Sequence, residues 1–223
     1  MKRIAVFGGS FDPIHIGHLA LANWFLLMEQ LAIDHILLLP TVHNPLKEND
    51  TLFTFEQRLS FIEQSVRGDR RFLSSGIESG LPAPHYTLDT LRALRTEMPK
   101  AEFLFIMGSD SWQNITHWYH YQELLETNRL LIYPRRGTPI DPATLPSQCI
   151  YAADAPAIEV SSSFIRAQLR KGKDVRFFLP QPDLMPQMQR ILSNDKAYAL
   201  RRRTGPFADL PQLCRSRRGA ATS

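Results

Sequence analysis

The chain has very little cysteine, no long apolar run and neither of the common glycine-rich nucleotide fingerprints, and each absence removes a class. Two cysteines in 223 residues, Cys149 and Cys214, supply neither a disulfide framework nor a metal knot. No apolar run approaches the ~18 residues that a membrane-spanning helix needs. The start, Met-Lys-Arg with a few apolar residues before Gly8-Gly9, does not read as a signal peptide. The chain is therefore expected in the cytoplasm. Gly-x-Gly-x-x-Gly is absent after the first apolar run, and no Gly-Lys-Ser/Thr occurs, which disfavours a nicotinamide dehydrogenase and a P-loop hydrolase. No internal repeat or low-complexity block is present.

What remains is ordinary for a globular protein: 43% hydrophobic and 22% charged residues. The net charge of +4 is unevenly placed. From Lys196 onward seven basic residues face Asp209 alone, a net of +6, which leaves residues 1–195 at −2. Residues 1–198 are expected to form one domain and 199–223 a basic extension. Phe207 is the one aromatic in that extension, so a solvated tail is favoured over a nucleic-acid arm.

Strand and helix signals alternate. Apolar runs at 4–7, 36–39, 103–107 and 130–133 lack period-2 alternation and read as strands buried on both faces. Between them lie helical patterns. The segment 18–31 is apolar almost all round. Residues 54–66 open on the capping box Thr54-x-x-Gln57 and carry Leu59, Ile62 and Val66. Residues 87–98 repeat Leu88, Leu91 and Leu94, and residues 161–171 follow a serine triplet. A last helix is predicted from about Pro182 to Leu192, and 134–149 reads as a surface loop. This alternation predicts an α/β fold: a Rossmann-like parallel sheet with helices on both faces and a small helical part at the C-terminus.

Two motifs carry chemistry. In the first, the strand at 4–7 breaks at Gly8-Gly9, and after Asp12-Pro13 the pattern His15-x-Gly17-His18 opens a helix. Spacing of three puts both imidazoles on one side of the first turn, and Gly17 leaves backbone open between them. Protonated imidazoles and helix N-terminal N–H groups suit a triphosphate. A metal site is the rival, but no third ligand stands at suitable spacing, and His117-x-x-His120 has the same lack. In the second motif, Ser161-Ser162-Ser163 precede Arg166. One serine suffices for a cap; three with a guanidinium can also grip phosphate.

These residues resemble a known family. Gly-Gly-Ser-Phe-Asp-Pro-Ile-His-Ile-Gly-His at 8–18 and Ser-Ser-Ser-Phe-Ile-Arg at 161–166 look like the two signatures of the nucleotidylyltransferase superfamily. Pro40 through Lys47, Tyr86-Thr87, Gly108-x-Asp110, Trp118-Tyr119 and Arg135-x-Gly137 extend the resemblance to the bacterial nicotinate-nucleotide adenylyltransferases. The resemblance implies that ATP and nicotinate mononucleotide give deamido-NAD and pyrophosphate, with Mg2+ accompanying ATP and no metal held by protein ligands. It implies that Gly8, Gly9, Ser10, Phe11, Gly108, Asp110, Ser162 and Ser163 bind ATP, with His15, His18 and Arg166 also catalytic. Lys47, Tyr86, Thr87, Trp118, Tyr119 and Arg135 would hold the mononucleotide, with Trp118 stacked on the pyridine ring. A homo-oligomer is compatible with this reading.

The chain departs from the family in three places. Asn44-Pro45-Leu46-Lys47 replaces Pro-Pro-His-Lys/Arg, Arg136 stands where the family has proline, and the tail has no counterpart. Three alternatives stay open: the same fold acting on nicotinamide mononucleotide, the same fold acting on both bases, and a nucleotide-binding regulator without turnover.

Overall fold

A computed structural model describes residues 1–42 and 51–204, with residues 195–204 as backbone only. Six parallel strands form one sheet in the order β3-β2-β1-β4-β5-β6. They are β1 (Lys2–Gly9), β2 (His35–Pro40), β3 (Phe72–Ser74), β4 (Ala101–Gly108), β5 (Arg129–Tyr133) and β6 (Cys149–Tyr151). The four long strands coincide with the four apolar runs, because residues of alternating parity are buried on opposite faces. Ala5, Phe7, Ile36, Leu38, Leu104, Ile106 and Leu131 enter one core. Ile4, Val6, Leu37, Leu39, Phe103, Phe105 and Leu130 enter the other. β3 and β6 were not foreseen: three residues at each sheet edge are too few to show a period.

Helices cover both faces. α1 (Ile16–Leu26), α2 (Phe55–Ser65), α6 (Ser162–Arg170) and α7 (Leu184–Thr204) pack on the first core. α3 (Thr87–Glu97) and α5 (Tyr121–Thr127) pack on the second, beside the short α4 (Ser109–Gln113). α2 begins at the expected box, with Gln57 N donating to Thr54 Oγ1 at 3.3 Å and Thr54 N to Gln57 Oε1 at 3.0 Å. Its buried stripe is Arg58, Phe61, Ile62 and Ser65, rotated from the predicted Leu59-Ile62-Val66 face. The segment 134–148 is loop, save one 3-10 turn at Pro142–Thr144, while Cys149, placed in the predicted loop, opens β6. α7 continues past the predicted Leu192 to Thr204, so no helix end falls at residue 198. Residues 205–223, most of the predicted extension, lie outside the described residues. No helix among the described residues is long and apolar enough to cross a membrane.

Strand order reverses between β1 and β4, whose ends carry Gly9 and Gly108. Open parallel sheets bind ligands outside the carboxyl ends of the strands at such a switch point.

Candidate active site

Two clefts open at that point. One, of about 620 Å³, is lined by His15, Gly17, Ser161, Ser162, Ser163, Arg136 and Arg166. The other, of about 910 Å³, is lined by Gly8, Gly9, Tyr86, Thr87, Gly108, Asp110, Trp118 and Tyr119. They share Ser10, His18 and Arg135. The first cleft thus gathers the residues expected at the phosphates, the second those expected at the nucleoside and pyridine ends, and His18 stands where they meet.

The histidine pair is built by the start of α1. His15 is the N-cap, and its backbone N–H donates to Nδ1 of His18 at 3.2 Å. The two rings stack with centroids 3.6 Å apart. Gly17 permits this: a Cβ there would lie 3.1 Å from two atoms of the His15 ring. Burial, then the nearby Arg135 cation, depresses the pKa of His15 from 6.5 to about 4. Where protonated imidazoles were expected, the His15 ring is thus held toward its uncharged form in neutral solution. Phe11 is 1% exposed, at φ 43°, and its ring packs on Phe7 and on His18 at 4.8 Å. It supports His18 from within the core while still lining the second cleft.

The serine triplet divides its tasks. Ser161 caps α6, its Oγ accepting from Phe164 N at 3.1 Å. Ser162 Oγ donates to the Pro13 carbonyl at 3.0 Å, and Ser163 Oγ accepts from Arg166 Nη2 at 3.2 Å. Arg166 Nη1 donates to the Asp12 carbonyl at 3.0 Å. The two motifs, about 150 residues apart in sequence, are therefore bonded into one wall.

Beneath that wall lies a network that the sequence reading missed. Asp12, 1% exposed, accepts from Leu52 N at 2.7 Å and Phe53 N at 3.0 Å. Arg58, on the buried stripe of α2, donates to the carbonyls of Ser10 and Thr41. Glu78, also buried, accepts from Val42 N at 3.2 Å and lines the second cleft. Burial lifts its pKa from 4.5 to about 7, against the opposing pull of the Val42 N–H and Arg58. The signal for Arg58 was available: it falls at the i, i+3, i+4, i+7 spacing with Phe61, Ile62 and Ser65. Glu78 had no periodic context to mark it. Lys47 and its neighbours Asn44-Pro45-Leu46 lie outside the described residues.

At the far end, Tyr86 is the N-cap of α3, and its side chain makes no cap hydrogen bond. Tyr119 stacks on Tyr86 with centroids 4.1 Å apart and planes within 12°. Trp118 is half-buried, set edge-on to Phe105, with Nε1 lacking a hydrogen-bond partner among the described residues. A Cβ on Gly108 would collide with Asp110 Oδ1 and lie 3.1 Å from Arg135 Cγ, so the strand end must be bare for Asp110 and Arg135 to approach, 3.8 Å apart.

A profile of the cytidylyltransferase-like family matches residues 6–168, which include both histidines, the serine triplet and Arg166. A protein of Porphyromonas gingivalis, named a probable nicotinate-nucleotide adenylyltransferase, is 44% identical over 80% of this chain and 89% of its own. One of Geobacillus kaustophilus with the same name is 36% identical over 81% of each. The chain belongs to the nicotinate-nucleotide adenylyltransferase family. The fold of the family extends to a Plasmodium falciparum nicotinic acid mononucleotide adenylyltransferase solved with NaAD: TM-score 0.64 at 23% identity, covering 89% of this chain and 98% of that one.

Proposed function

We propose that the chain joins ATP to nicotinate mononucleotide, giving deamido-NAD and pyrophosphate. The observation that carries this reading is the position of His18 between a cleft lined by cations and hydroxyls and a cleft lined by aromatics and the start of α3. Family membership supports it.

A phosphate monoester is itself the nucleophile, attacking the α-phosphorus in line as pyrophosphate departs. No protein nucleophile is required, and catalysis is positioning with neutralisation of developing charge. Because Nδ1 of His18 accepts from His15 N–H, the neutral ring carries its proton at Nε2. That N–H serves as a donor to the α-phosphate. Arg166, with Ser162 and Ser163, serves the departing end, and its bond to the Asp12 carbonyl fixes its reach.

Mg2+ fits as an ion carried on the triphosphate. No cluster of three His, Cys, Asp or Glu occurs among the described residues, and both oxygens of Asp12 are bonded to backbone N–H groups. When bound, the ion offsets phosphate charge through phosphate oxygens and water.

At the acceptor end, the first-turn N–H groups of α3 favour the carboxylate of nicotinate. Nicotinamide would turn an NH₂ toward those donors, leaving both sides unpaired, a mismatch on the order of 10³ in selectivity. Pyrophosphate release from ATP with nicotinate mononucleotide, compared with its amide, tests the assignment; release with neither would favour a non-catalytic regulator.

A further inference from the structure

Arg135 and Arg136 leave the end of β5 side by side, and each is held by an acid. Arg135 Nε lies 3.8 Å from Asp110 Oδ1. Arg136 Nη1 lies 3.1 Å from Glu159 Oε1 and 3.4 Å from Oε2. The second pair joins two walls of the first cleft. Arg136 comes from the turn after β5, Glu159 from the segment that leads into Ser161–Ser163, and both line the cavity that holds His15, Ser162 and Arg166. Their side chains are 88% and 67% exposed. An ion pair so open to water contributes little to the fold and exchanges readily. Carboxylate and phosphate oxygens offer a guanidinium the same acceptor geometry, and a polyphosphate carries more charge.

We propose that Glu159 is a stand-in for phosphate: it holds Arg136 across the cleft until the β,γ-phosphates of a nucleoside triphosphate displace it. Arg136 is then a binding residue for the pyrophosphate portion, and Glu159 sets how tightly that portion is held and how readily it leaves. The inference rests on reading this cleft as the triphosphate end. It predicts that Arg136 discriminates ligands by their β,γ-phosphates and that Glu159 acts only through Arg136.

Calorimetric titration of the full chain with Mg-ATP, with Mg-pyrophosphate and with AMP tests this. Arg136→Ala is expected to weaken ATP and pyrophosphate about three- to tenfold, leave AMP unchanged and flatten the salt dependence of ATP binding. Glu159→Gln is expected to tighten ATP and pyrophosphate about two- to fivefold, with the gain abolished in the double variant. Melting temperatures should not move, since neither side chain is packed. Equal losses for AMP and ATP, an effect of Glu159→Gln that survives without Arg136, or no change in ATP binding would each overturn the proposal. These bindings are read without an acceptor. Failure of adenylyl transfer to nicotinate mononucleotide with the binding pattern intact would therefore overturn the acceptor assignment alone.

Discussion

The backbone N–H of His15 donates to Nδ1 of His18 at 3.2 Å while the two rings stack 3.6 Å apart. One bond therefore caps the start of α1 and sets the His18 tautomer. The two roles separate by substitution. In His18→Asn the amide oxygen takes the place of Nδ1, so the cap survives and the Nε2 donor is lost. His18→Ala loses both. Both variants are expected to drop kcat about 10²- to 10³-fold with little change in KM for the mononucleotide. His18→Ala alone should also lose about 1 kcal/mol of stability. Steady-state kinetics beside thermal melts check this; equal losses in kcat and in mononucleotide affinity would mean that His18 only shapes the cleft.

His15 makes the fold sensitive to acid. Its ordinary pKa of 6.5 falls to about 4 in the folded chain. Between those values the unfolded chain binds the extra proton, so stability rises with pH. The contribution, up to about 3 kcal/mol, is complete above 6.5 and is lost as pH falls through 4. As pH is lowered from 7.5 to 4.5, the melting temperature of His15→Asn should gain on that of the parent, a difference that isolates the His15 contribution from the opposing one of Glu78.

Glu78 works in the opposite direction. Its pKa is raised from 4.5 to about 7, so the folded chain holds the extra proton in that window. The associated stability is full below 4.5 and is lost as pH rises through 7. Glu78→Gln keeps an acceptor for Val42 N–H and removes the buried charge. At pH 8 it should melt above the parent, by the equivalent of up to about 3 kcal/mol, with the gap closing toward pH 4.5. A gap that does not change with pH would show that burial of this carboxyl is not what sets its titration.

Trp118 and Tyr119 are adjacent but differ in setting. Tyr119 is 42% exposed and touches chiefly Tyr86 and His120. Trp118 packs against the second core. Tyr119→Ala should raise KM for the mononucleotide about three- to tenfold without moving the melting temperature. Trp118→Ala should raise that KM and also cost about 2–4 kcal/mol of stability. Parallel kinetics and melts distinguish the two.

The strands at 4–7, 36–39, 103–107 and 130–133 were legible because burial on both faces writes unbroken apolar runs. The starts of α2 and α6 were legible because Thr54 and Ser161 cap them as their residue types suggest. β3 and β6 were hidden by their length. Within the site, local motifs marked His15, His18 and Arg166. The Asp12-Arg58-Glu78 framework joins segments 17 to 48 residues apart through backbone carbonyls and N–H groups, which leave no residue pattern. The inward turn of Phe11 follows from its backbone at φ 43°, which a motif of residue types does not encode.

The central claim is that the mononucleotide phosphate attacks ATP at His18 with nicotinate held by the start of α3. The most direct test is kcat/KM for nicotinate against nicotinamide mononucleotide, read as pyrophosphate release at saturating ATP and Mg2+. A preference for nicotinate on the order of 10³ is the predicted result. Equal rates, or a preference for the amide, would contradict the account.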